Sequence, residues 1–191
     1  MAEKDIFAER GRSLEDDYFR KKDRELIERM KQASQADQSR RELGQRTGLT
    51  DPELLKDLED LGFTPDTIAL LPMVPVIQMA WAEGGITPAE RTLIADLARQ
   101  RGMAQGSAAD RQLQEWMDTR PDASVFSRAT RLIRAILDSG QDPGMMSAEE
   151  VVKQAEKIAH ASGGILGLAR VSSEEKAILA SLASELKSRK R

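Results

Sequence analysis

Apolar side chains are unevenly distributed along this chain. Over residues 1–48 they are few and lie among charges of alternating sign, whereas from Leu49 onward they recur at spacings of three and four. That spacing places them on one face of an α-helix, and such faces bury a common core. The pattern predicts two domains: a charged N-terminal helix and linker over residues 1–48, and a compact helical bundle over residues 49–191.

Start and stop signals predict where the helices begin and end. A hydroxyl residue followed three positions later by an acid forms a capping box, and this pattern occurs at Ser13 with Asp16, Thr87 with Glu90, Ser147 with Glu150 and Ser172 with Glu175. Prolines 52, 65 and 88 each follow a capping residue, and glycines 62, 84, 102 and 140 follow charged or polar helix ends. These signals predict helices at 13–36, 52–61, 65–83 (bent or split at its prolines), 88–101, 107–118, 123–138, 147–162 and 173–188. The Ser- and Gln-rich stretch 32–46 is predicted to be a weak linker.

Two segments of the bundle resemble each other. Residues 80–90 read Ala-Trp-Ala-Glu-Gly-Gly-Ile-Thr-Pro-Ala-Glu, and residues 159–165 read Ala-His-Ala-Ser-Gly-Gly-Ile before a second capped start at Ser172. Each reads as a helix, a double-glycine turn and a capped helix. We expect an all-α fold: a helical bundle of two pseudo-repeated helical hairpins, with the charged N-terminal helix protruding from it.

The double-glycine segment 80–90 resembles the TerB-like (tellurite-resistance) helical family, and the likeness extends over residues 65–188. The resemblance implies an all-helical domain in stress-response or membrane-associated complexes, in which acidic turn residues sometimes hold divalent ions. Carried over to this chain, the ligands are Glu83 and Glu90, whereas Ser162 replaces the acid in the second hairpin.

A divalent cation is the one cofactor that the sequence leaves open. Calcium takes about six to eight oxygen ligands, and Glu83 and Glu90 supply two or three of them, with help from carbonyls of the turn. The alternative is that Glu90 caps its own helix and the glycines close a tight turn. Both interpretations stay open at this point.

The N-terminal helix carries a narrow apolar stripe on a charged rod. Its apolar members are Phe7, Leu14, Tyr18, Phe19, Leu26, Ile27 and Met30. A stripe this narrow suits a coiled-coil seam or a groove in another protein, where aromatic residues act as anchors. Three alternatives follow: docking on a partner protein, pairing with a second copy, or packing back on the bundle.

Residues 7–31 are similar to the inhibitory helix of the mitochondrial ATP synthase inhibitor. The matching pieces are Arg12, Glu15-Asp16-Asp17, Tyr18-Phe19-Arg20 and Arg24-Glu25-Leu26. In that family the helix inserts between catalytic subunits of the rotary ATPase and blocks turnover. The resemblance implies a partner-binding surface made of Leu14, Glu15, Asp16, Asp17, Tyr18, Phe19, Arg20, Arg24 and Leu26. The family's histidine-containing coiled coil has no counterpart, because the single histidine is His160.

Composition and motifs exclude several classes of function. The chain has no cysteine, so thiolate catalysis and disulfides are excluded, and it has no phosphate-binding glycine loop, nucleophile elbow or zinc spacing. We expect no enzyme. Acids interleave with bases over residues 10–31 and the net charge is −3, which argues against nucleic-acid binding.

The most apolar segment, 68–82, is shorter than the roughly 20 residues of a membrane span, and no apolar leader opens the chain. We expect a cytoplasmic regulatory or interaction protein. The alternative is a divalent-ion-binding stress-response module whose N-terminal helix forms a homodimer.

Overall fold

The computed structural model describes the backbone of residues 2–140, 147–162 and 171–187, and within them the side chains of residues 18–140, 147–161 and 171–186. The described residues form eight α-helices and one 3-10 segment, without a strand. They are α1 Ala2–Thr47, α2 Pro52–Asp60, the 3-10 segment Ile68–Met73, α3 Val74–Ala80, α4 Pro88–Gln100, α5 Ala108–Asp118, α6 Ala123–Asp138, α7 Ala148–Ser162 and α8 Ser173–Lys187. The predicted all-α fold is confirmed.

The chain divides into two compact units, Met1–Arg41 and Glu42–Arg191. The described part of the first unit lies entirely in α1. The second begins with the last turns of α1, where Leu43 and Thr47 are fully buried. Thr47 Oγ1 donates to the Leu43 carbonyl at 2.7 Å, and Gly48, with φ 71°, ends the helix. The end of α1 is therefore part of the second unit's core.

Two predictions about α1 are wrong. The stretch 32–46 is helical and not a linker, and Ser13 lies inside α1, so it does not cap a helix with Asp16. Gln, Arg, Glu and Ala dominate 32–46 and are good helix formers, and burial of Leu43 stabilises the last turns. A polar segment need not be a linker when its residues favour helix and its end is held by a core.

The predicted helix 65–83 is split, as its prolines indicate. Pro72 lies inside the 3-10 segment and Pro75 lies in the first turn of α3. Proline cannot donate a backbone hydrogen bond, so a regular α-helix does not run through both positions. The predicted start at Pro65 is wrong, because residues 65–67 form a turn in which the Thr64 amide donates to Thr67 Oγ1 at 2.8 Å.

The second unit is built around α3. Six of its seven residues are buried, so the helix is apolar on all sides, as expected for a central helix. α7 packs against α3, α4 and α8, and α6 packs against α2, α3 and α8. α2 and α6 are also joined by ion pairs from Asp57 to Arg128 and Arg131.

The three predicted capping boxes of the bundle are confirmed. The amides of Thr87, Ser147 and Ser172 donate to the acids three residues later, and those residues' amides donate back to the hydroxyls. Glu90 and Glu175, in the first turns of α4 and α8, are both almost fully buried. The pseudo-repeat itself stays a prediction, because the second glycine turn, at Gly163 and Gly164, lies outside the described residues.

Asp110 closes the connection between α4 and α5. Its carboxylate accepts from the Gly106 amide at 2.8 Å and from Arg99 Nη2 at 2.7 Å. The Gly106 hydrogen bond, followed by the Arg99 contact, lowers the pKa of Asp110 below its ordinary value of 3.8. The ionised form therefore stabilises the fold.

We expect Leu43→Ala to lower the free energy of unfolding by about 2–5 kcal/mol, because it removes a fully buried side chain from the core. Leu26→Ala is the matched control: Leu26 is 57% exposed on the same helix, and its change stays within about 0.5 kcal/mol. Urea denaturation measures both. Equal losses would show that the last turns of α1 are not part of the core.

We expect Asp110→Asn to destabilise the protein at neutral pH and to lose this effect in acid. A carboxyl group with a depressed folded pKa contributes stability that is present above its unfolded pKa and is lost as pH falls through the folded pKa. The difference from wild type should therefore shrink below pH 3.8. Urea midpoints across this range test it, with the exposed Asp96→Asn as control; a difference that does not depend on pH would contradict the assignment.

Candidate functional site: an exposed apolar face on the first helix

Exposed apolar side chains are concentrated on α1. Every large apolar side chain that the structure describes as exposed lies between residues 18 and 30: Tyr18 (58%), Phe19 (61%), Leu26 (57%), Ile27 (52%) and Met30 (64%). Single exposed apolar residues are common on protein surfaces, but a group of five on one short helical stretch is typical of a binding surface.

Three of these residues share one face. At about 100° per residue, Phe19, Leu26 and Met30 fall within about 40° of each other around the helix. Tyr18 and Ile27 flank this group on opposite sides. We call the five residues the docking face. It presents apolar groups along roughly three turns of helix.

The aromatic pair at the start of the docking face is ordered by its neighbours. The rings of Tyr18 and Phe19 meet edge to face, with centroids 5.9 Å apart and planes at 73°. Lys22 Nζ lies 5.7 Å from the Tyr18 centroid and pairs with Glu25 at 3.8 Å. These contacts restrict the conformations of the two aromatic side chains.

The structure describes only part of the predicted partner-binding set. Tyr18, Phe19, Arg20, Arg24 and Leu26 are all exposed, and Arg24 Nε donates to the Arg20 carbonyl at 3.1 Å. The side chains of Leu14, Glu15, Asp16 and Asp17 lie outside the described residues. Arg20 and Arg24 project away from the Phe19 side of the helix, by about 100° or more.

The family resemblance omits two residues of the docking face, Ile27 and Met30, from the predicted set. Met30 shares the face of Phe19 and Leu26, and Ile27 flanks it. The signal that identifies them is helical spacing, since Met30 follows Leu26 by four positions and Ile27 by three.

The two residues predicted to bind a metal, Glu83 and Glu90, differ in their surroundings. Glu90 is only 2% exposed, and its Oε2 accepts from both the Thr87 amide and the Thr87 hydroxyl at 2.7 Å. Glu83 is exposed beside Gly84. Within the described ranges, no group of three or more His, Cys, Asp or Glu side chains is arranged to hold a metal ion. Glu90 therefore acts as a capping residue, and the metal site stays a prediction without geometric support.

A groove of about 730 Å³ lies on the second unit, lined by Leu49, Leu54, Arg131, Arg134 and Asp138 among others. Its arginines already have partners: Arg131 pairs with Asp57, and Arg134 pairs with Asp138 and donates to the Glu185 carbonyl. The polar groups of this groove therefore stabilise the fold.

None of the helices in the described ranges combines the length and the apolar character that a membrane span needs.

We expect Glu90→Ala to lower the free energy of unfolding by about 1–2 kcal/mol, because the capping box is lost. Glu90→Gln keeps an acceptor oxygen of the same reach and should lose less. Urea denaturation with and without calcium measures both. A calcium-dependent gain in stability that Glu83→Ala abolishes would instead establish the metal site.

The chain has been compared with protein-family models, with curated proteins and with solved structures, and no match is found in any of the three. The resemblances to the TerB-like family and to the ATP synthase inhibitor therefore stay expectations from the residues quoted above.

Proposed function

We propose that this chain is a non-enzymatic interaction protein whose first helix docks on a partner protein through Tyr18, Phe19, Leu26, Ile27 and Met30. The observation that carries the proposal is the concentration of exposed large apolar side chains on this one stretch of α1. In the proposal the helical bundle, with its TerB-like features, acts as a scaffold for the arm.

Burial of the docking face supplies the driving force for binding. Full burial of a large apolar side chain is worth about 1.5–3 kcal/mol, and each of these side chains is now half exposed or more. Covering Phe19, Leu26 and Met30 with a groove therefore contributes several kcal/mol to the binding free energy. The loss of translational freedom on binding opposes this gain. Such a balance is typical of a micromolar complex, which suits a regulatory contact.

The partner that we propose is the catalytic part of a rotary ATPase. The support is the order of residues around the aromatic pair, with an acidic triplet before Tyr18-Phe19-Arg20 and Arg24-Glu25-Leu26 after it. In this proposal the helix acts as a wedge between catalytic subunits that must move during turnover. Its binding would hold one arrangement of them and slow ATP hydrolysis.

We expect the full chain to inhibit ATP hydrolysis by a purified F-type ATPase, and Phe19→Ala and Leu26→Ala each to weaken inhibition about 30-fold, the equivalent of a 2 kcal/mol anchor. Glu28→Ala is the matched control, since Glu28 is exposed on the opposite side of the same helix and alanine keeps the helix propensity. Initial rates over a range of inhibitor concentrations give the inhibition constants.

Two outcomes would contradict the proposal. Hydrolysis that stays unchanged at concentrations well above the micromolar range removes the rotary ATPase as the partner. Equal weakening by Phe19→Ala and Glu28→Ala shows that the docking face is not the surface in contact.

A further inference from the structure

A carboxylate lies in the middle of the docking face. Asp23 follows Phe19 by four positions and precedes Leu26 by three and Ile27 by four. Around the helix it lies about 20° from Met30 and about 40° from Phe19. A surface that covers these apolar side chains must also cover Asp23.

Asp23 has no partner in the described part of the chain. On the helix surface its nearest cation is Arg20, three positions before it, and no ion pair joins the two among the described contacts. Lys22 pairs with Glu25, and Arg24 Nε donates to the Arg20 carbonyl. Asp23 makes no ion pair and no side-chain hydrogen bond with any described residue, and its side chain is exposed. Among the described residues, none satisfies its carboxylate, which is exposed to solvent.

Covering Asp23 without a partner for its carboxylate has a large desolvation penalty. The effective penalty for burying an unpaired ion is several kcal/mol, which exceeds the gain from any one side chain of the docking face. A lysine or arginine placed opposite replaces the lost water contacts with a charge-assisted hydrogen bond. Binding is therefore most favourable on a surface that supplies a cation at this position.

This requirement separates the candidate occupants of the docking face. The apolar interior of a bilayer supplies no cation at that depth. A second copy paired in parallel and in register brings two Asp23 carboxylates to the same seam position, where like charges repel. A protein groove with an apolar floor and one basic side chain meets both needs.

We propose that Asp23 selects the partner: the docking face binds a protein groove that carries a Lys or Arg opposite Asp23, and it disfavours the bilayer interior and a second copy paired in parallel and in register. The proposal rests on docking through the first helix. It adds the chemistry of the partner surface, and it assigns to Asp23 a selective role that the family resemblance does not.

The test uses the purified full-length chain and a probe of known chemistry. In the Asp23→Lys variant the docking face keeps its apolar residues and presents a cation at position 23. Sedimentation equilibrium then measures association of the wild type alone, of Asp23→Lys alone, and of the two mixed. Glu28→Lys makes the same charge change on the opposite side of the helix and is the matched control.

We expect each protein alone to be monomeric and the mixture of wild type with Asp23→Lys to form a heterodimer, because the cation of one arm then meets the carboxylate of the other. This association weakens with added salt. Wild type mixed with Glu28→Lys should stay monomeric. Asp23→Leu, which removes the charge, should self-associate, and Glu28→Leu should not.

Other results would overturn the proposal. They are self-association of the wild type, the absence of a heterodimer with Asp23→Lys, or sedimentation of the wild type with vesicles of phosphatidylcholine and phosphatidylserine. Circular dichroism confirms that each variant keeps its helix content. Because these measurements contain no ATPase, a failure of ATPase inhibition leaves them intact, and their failure leaves the inhibition assay to be judged separately.

Discussion

Burial of apolar surface around α3 is the interaction on which the second unit depends. This short helix has almost no exposed side, so it is stable only when other helices surround it. α6 and α7 pack directly on it, and each also packs on α8. The capping boxes and the ion pairs of Asp57 then position helices whose association is already driven by this burial.

The same physical principle gives the first helix its different character. Its last turns bury Leu43 and Thr47 in the core of the second unit, whereas residues 18–30 carry five large apolar side chains that are all more than half exposed. One continuous helix therefore includes a segment that the core stabilises and a segment whose apolar groups are available to a partner. This division is the basis of the proposed interaction function.

In the proposed interaction, affinity and selectivity come from different residues of the docking face. Phe19, Leu26 and Met30 offer apolar area, which binds any apolar surface of suitable shape. Asp23, which has no partner among the described residues, is proposed to select among such surfaces, since covering it is more favourable opposite a cation. A single polar residue in an apolar seam can set specificity at some cost in affinity.

The sequence by itself determined several features that depend on residues within four positions of one another. The boxes at Thr87, Ser147 and Ser172, the split at Pro72 and Pro75 and the stops at Gly62, Gly102 and Gly140 are local hydrogen-bond and steric effects, and the structure has them where the pattern predicts. The stop before Gly84 comes earlier than predicted, because α3 ends at Ala80. Only the tertiary structure decided that α1 continues to Thr47, because burial of Leu43 stabilises a stretch whose local pattern suggests a linker. It also showed that Glu90 is buried in its cap and that Asp23 has no ion-pair partner in the described part of the chain, since burial and ion pairing depend on neighbours in space that local spacing does not specify.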